Sequence, residues 1–180
     1  MPCGRLTRAL AIGLMPIALI VSGVCAQQPT EAEVEAAFLL NFTKFVEWPA
    51  SAFADSNSPF TICILGKDPF GRALDDLLTG ETVGARNVGV RRMPEVPPQT
   101  HACQMVFFGG PKGEARAELG SLGPGVLSVG DGDTFLREGG MIAFVIDNRR
   151  VRFDINQALA EKNGLKLSSR LLTVARSVQK

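Results

Sequence analysis

The chain has 180 residues, a formal net charge of +1, 46% hydrophobic and 21% charged residues, one histidine and four cysteines. That near-neutral balance excludes the clear basic excess on which nucleic-acid binding and electrostatic attachment to a membrane surface depend. The histidine and cysteine counts exclude zinc sites built on several imidazoles or free thiols.

At the amino terminus Arg5 and Arg8 precede an apolar stretch from Ala9 to Val24 with Pro16 inside it, and Val24-Cys25-Ala26 leads into Gln27, Gln28, Pro29 and Thr30. A positive start, a short apolar run and a small-residue exit form the layout of a cleaved secretory signal. A retained anchor needs about 20 apolar residues with few interruptions, and an acylated Cys25 calls for a small residue where Val24 stands. Cleavage is expected near Ala26, which makes residues 1–26 a signal peptide and residues 27–180 one domain outside the cytoplasmic membrane. Loss of Arg5 and Arg8 takes the formal charge to about −1. Cys63 and Cys103 remain, and in an oxidising compartment two cysteines invite one bridge; the alternative is two buried free thiols.

Thr30-Glu31-Ala32-Glu33 forms a capping box, which predicts a helix from Glu31. Val34, Ala37, Phe38, Phe42 and Phe45 give it an apolar face, and Trp48-Pro49 ends it near Glu47. Asn41 is expected on or near the buried face as a structural amide. Residues 50–59 read as a surface loop. Phe60 to Leu65 is apolar on both alternating faces apart from Thr61, the mark of a strand covered on both sides. Gly66, Asp68 and Pro69 lead into a helix over Phe70 to Leu78.

Val83 to Met93 reads as a turn and a strand carrying Arg86, Arg91 and Arg92, and Pro94 to Thr100 as a linker. Cys103 to Phe108 is the next buried strand, Lys112 to Leu119 a helix, Val126 to Val129 a strand, and Asp133 to Arg137 a helical turn. Met141 to Ile146 and Arg150 to Ile155 form a hairpin around Asp147-Asn148, with Val151, Phe153 and Ile155 inward and Arg150, Arg152 and Asp154 outward. A helix over Asn156 to Asn163, a short strand at Leu165 to Leu167 and a Ser168-capped helix to Val178 complete the chain. The alternation predicts a single-domain three-layer α/β sandwich, its sheet mainly parallel with an antiparallel hairpin at one edge.

Catalytic motifs are sparse. His101, the lone histidine, sits in the proline-rich approach to a strand and has no Gly-x-Ser-x-Gly turn to partner. Gly66 to Gly71 resembles a phosphate loop in outline but lacks the Gly-Lys-Ser/Thr ending. Asp131-Gly132-Asp133-Thr134 follows a strand as the Asp-x-Asp pairs of some phosphotransferases do. With Gly130 intervening and no second acidic pair to complete a magnesium site, a turn whose aspartate caps the next helix is the expectation. Arg149, Arg150 and Arg152 cluster on a protruding hairpin and are the candidate partner-binding residues. No catalytic, cofactor or metal site is assigned.

Three blocks carry a family resemblance: Ala36 to Pro49 (AAFLLNFTKFVEWP), Phe60 to Gly66 with Asp68-Pro69-Phe70-Gly71, and Glu138 through Val151-Arg152-Phe153-Asp154-Ile155-Asn156 to Leu172. In this order they resemble the YfiR family of periplasmic proteins. The resemblance implies a non-enzymatic repressor that binds the periplasmic sensor region of an inner-membrane diguanylate cyclase. An outer-membrane lipoprotein would sequester it, raising cyclic-di-GMP and biofilm formation. It also implies homodimers, no cofactor, and a family disulfide at Cys63 and Cys103; a second cysteine pair expected in some members has no counterpart here. Two rival readings are a small-ligand sensor and a phosphohydrolase using Asp131 and Asp133.

Overall fold

The computed structural model describes residues 28–96, 101–110 and 115–180. The expected signal peptide, the end of the linker and the start of the helix expected from Lys112 lie outside them. No helix among the described residues is long and apolar enough to cross a membrane.

Helix α1 (Glu31–Phe45) starts at its capping box: Thr30 Oγ1 accepts the Glu33 N–H at 3.2 Å and the Glu33 carboxylate accepts the Thr30 N–H at 2.7 Å. It ends two residues before the expected point, because β1 (Val46–Glu47) extends to pair antiparallel with β9 (Lys166–Leu167). Its buried stripe runs through Ala36, Leu39, Leu40, Phe42 and Thr43. Asn41 is exposed, contrary to expectation. The half-buried Phe38 and Phe45 flank the stripe, so the face centred on them was displaced toward Asn41.

A 3-10 turn at Ala50–Ala52 precedes β2 (Phe60–Gly66), whose first six residues are buried. Asp68 then accepts the N–H groups of Phe70 (2.7 Å) and Gly71 (3.2 Å), setting up α2 (Arg72–Leu78). Next come β3 (Thr82–Val83), β4 (Arg86–Met93), β5 (Met105–Gly109), α3 (Arg116–Leu119), β6 (Leu127–Asp131), α4 (Phe135–Glu138), β7 (Ile142–Asp147) and β8 (Arg150–Asn156). After α5 (Gln157–Lys162) and β9 the chain forms α6 (Ser169–Val174) and β10 (Ser177–Gln179). The helix expected to reach Val178 therefore stops at Val174, and its last residues join the sheet.

The eight-stranded sheet has the order β10-β8-β7-β6-β5-β2-β4-β3. Strands β4, β2, β5, β6 and β7 run parallel, and β8 turns back antiparallel to β7. The hairpin is thus one strand in from the edge: β10 pairs parallel to β8 outside it.

Successive side chains of a strand point to opposite faces, and here each face has its own core. Phe60, Ile62, Ile64, Phe107, Phe144 and Phe153 pack under α1, α2 and α6, with Ala160 of α5 in the same cluster. On the other face Cys63, Leu65, Val106 and Phe108 pack against Phe135 and Leu136 of α4 and Leu119 of α3. Cys63 and Cys103 are bonded as a disulfide, with their Cα atoms 5.8 Å apart, tying mid-β2 to the entry of β5 inside the second core.

Candidate functional site

Two features stand out near the carboxyl ends of the central strands. The first is the β7–β8 hairpin. Its pairing of Asp147 with Arg150 puts Asn148 (φ 49°) and Arg149 (φ 61°) at the tip, both left-handed. The central pair is thus Asn148-Arg149 and not the expected Asp147-Asn148. A two-residue turn of this kind needs positive φ at both positions; asparagine tolerates it and arginine adopts it at a cost.

Arg149 and Arg150 are exposed, as is Ile146 at 51%. Arg152 is half-buried and donates from Nη2 to the Val174 carbonyl at 3.2 Å, so it anchors the end of α6. Asp154, expected to face water, is 9% exposed and accepts two hydrogen bonds from Arg176. Of the three candidate arginines, two are presented outward and the third has an internal task.

The second feature is a cleft of about 350 Å3 where α1 crosses the end of β6. Strand β6 continues through Gly130 to Asp131, so the glycine does not intervene between strand and aspartate as expected. A side chain at Gly130 or Gly140 would strike the Phe135 ring at 2.6 and 2.2 Å, which accounts for both glycines. Asp133 does not cap α4, whose cap residue Thr134 makes no side-chain cap bond; it meets Arg176 at 3.4 Å instead. Glu31 and Glu35 of α1 face these aspartates across the cleft, above a floor formed by Phe144, Val145 and Ile146. Burial, reinforced by the charges of Asp131 and Glu31, raises the Glu35 carboxyl to about 8.

Four carboxyl groups and one guanidinium, that of Arg176, line the cleft. Among the described residues no group of three His, Cys, Asp or Glu side chains is placed to hold a metal ion.

The glycine-bounded loop after β2 is also occupied by its own contacts. The N–H groups of Phe70 and Gly71 are taken by Asp68, whose carboxylate also holds Arg92 at 2.6 Å. Lys67 N donates to Gly109 O at 3.2 Å, and a side chain at Gly109 would lie 1.8 Å from Lys67 O. His101 is exposed on a turn with φ 70°, and its carbonyl accepts from Gln104 Nε2 at 3.3 Å.

Sequence reasoning missed Glu35, Gln104 and Arg176. Each gains its role from a partner distant in the chain, and only the apolar neighbours of Gln104 in the Cys103–Phe108 run signalled its burial.

In comparisons with known proteins, the family model described as YfiR/HmsC-like matches residues 32–176. No match was found among curated proteins. Among solved structures the chain is similar to an ABC domain in complex with L-Trp from Streptococcus pneumonia, at 11% identity and a TM-score of 0.48. That alignment covers 82% of this chain and 60% of that one, so the chain spans less than two thirds of the relative's length. The family match runs from the second residue of α1 through α6 and takes in the hairpin and all of the cleft but Glu31, and the chain belongs to the YfiR/HmsC-like family.

Proposed function

We propose that this protein is a periplasmic regulatory binding protein, not an enzyme, that represses an inner-membrane diguanylate cyclase through the cyclase's periplasmic sensor region. Repression lowers cyclic-di-GMP and biofilm formation, and an outer-membrane lipoprotein relieves it by sequestering the repressor. The observation that carries this reading is the family match over residues 32–176. A buried disulfide suits an oxidising compartment.

The hairpin tip supplies the docking surface. Arg149 and Arg150 project beside exposed Ile146, and arginine next to an apolar anchor is a common composition for a protein interface. Holding a receptor inactive requires only a few kcal/mol of differential affinity for its inactive arrangement.

The test is capture of partners from detergent-solubilised inner membranes on the mature, oxidised protein. Recovery of a membrane diguanylate cyclase, lost in an Arg149→Glu/Arg150→Glu variant, supports both the function and the surface. Absence of any cyclase from membranes known to contain one overturns the reading.

A further inference from the structure

Among the described residues the exposed large hydrophobic side chains are Ile146 at 51% and Val174 at 55%, and the fold brings both to one rim of the sheet. Ile142 and Phe144, buried in the core under α1, precede Ile146 on the same face of β7. Ile146 stands opposite Val151 of β8, which belongs to that core as well. On the other side of β8, Arg152 Nη2 holds the Val174 carbonyl at 3.2 Å and the Arg176 N–H donates to Phe153 O at 2.8 Å. The end of α6 is thereby stapled beside the start of β8. Leu171 and Val174, three residues apart, share a side of α6, and Leu171 is buried in the same core. Val174 therefore carries the inward side of α6 past the edge of the core, as Ile146 does for the inward row of β7.

The charges around this rim are divided. Arg149 and Arg150 are exposed at the hairpin tip on one flank of Ile146. On its other flank Glu31, Glu35 and Asp133 share the cleft with it. We propose that Ile146 and Val174 are the paired apolar anchors of one docking surface, and that its occupant is a segment of the cyclase's periplasmic region with an apolar ridge between two charged borders. The border over Arg149 and Arg150 is acidic, and the border over the cleft is basic. This deepens the function proposed above and rests on it. The two anchors supply affinity by losing their contact with water, while the opposed charges fix the orientation of the segment and reject partners of the wrong pattern. An anionic bilayer fits less well, because the carboxylates beside Ile146 repel the headgroups that the arginines attract.

The test compares capture of the cyclase from detergent-solubilised inner membranes by the mature, oxidised wild type, Ile146→Asp and Val174→Asp. A carboxylate at either anchor should lower capture by about tenfold or more, with the melting temperature unchanged because both side chains are already half exposed. Val174→Ser, expected to lower capture by about fivefold, takes the place of Val174→Asp if the aspartate unfolds the end of α6. Capture at the wild-type level by the folded Val174 variants confines the surface to the hairpin and overturns the paired anchors, while the repressor function stands. Failure of the wild type to capture any cyclase overturns both. Flotation with phosphatidylglycerol vesicles and sedimentation of the wild type test the other occupants. Vesicle binding or self-association that Val174→Asp abolishes assigns the rim to a membrane or to a second copy, and overturns the proposal.

Discussion

The side-chain carbonyl of Gln104 accepts the backbone N–H of Thr61 at 2.8 Å, so a buried amide takes a place that a neighbouring strand would otherwise fill at the start of β2. Its Nε2 donates to Ala52 O at 2.7 Å, and its backbone carbonyl accepts from Trp48 Nε1 and Leu127 N, both at 2.9 Å. Gln104→Ala leaves the Thr61 N–H and the Ala52 carbonyl unpaired in the interior. At roughly 1–3 kcal/mol for each unsatisfied group, urea denaturation should show a loss of about 3 kcal/mol. A loss near zero would mean that water replaces the amide.

The Cys63–Cys103 bridge closes a loop with a sequence separation of 40. In the chain-entropy account that loop is worth about 4 kcal/mol, so Cys63→Ser should lower the denaturation midpoint strongly, and reductant should do the same to the wild type. If the bridge also keeps the docking surface in shape, repression in cells should weaken in the same variant. Full repression by an unbridged protein would separate stability from function.

Local signals were the legible ones. The capping box at Thr30, the doubly buried run from Phe60 and the hairpin ending in Val151, Phe153 and Ile155 each depend on neighbours in sequence, and each is present. Strand β10 was not legible: Ser177-Val178-Gln179 has no strand pattern of its own and is ordered by pairing with Asp154, Ile155 and Asn156. The candidate site divided along the same line. Arg149 and Arg150 could be placed on a hairpin from local pattern, whereas the cleft could not be seen, because nothing near Glu35 in sequence indicates that Asp131 will face it.

Glu35 also gives the stability a definite pH slope. Its carboxyl is raised to about 8 from an unfolded value of 4.5, so between those pH values the folded state holds a proton that the unfolded chain has released. Stability therefore falls as pH rises from about 4.5 to about 8, and levels off above. Asp75 and Glu33 act in the opposite sense. The Arg92 hydrogen bonds lower Asp75 and the Thr30 N–H lowers Glu33, and both contributions are lost as pH falls through their folded values. Thermal melts across pH should show the downward slope between about pH 4.5 and about pH 8 flatten in Glu35→Gln, while the loss of stability at lower pH, where Asp75 and Glu33 take up protons, is unchanged. An unaltered slope in the variant would assign it to another group.

Arg149 offers a way to separate folding from binding. Its φ of 61° places a long β-carbon-bearing side chain in the left-handed region, at a cost of roughly 1 kcal/mol that glycine would not incur. Arg149→Gly keeps the turn geometry, so it should raise stability by about 0.5–1 kcal/mol while removing one of the two exposed charges at the tip. A docking surface predicts that capture of the cyclase weakens in this more stable protein, with Arg150→Ala weakening it further and with little change in melting temperature. Strain that persists against stability is expected where the side chain serves a contact. A stabilised Arg149→Gly protein that binds its receptor as well as the wild type would place the docking surface away from the hairpin tip.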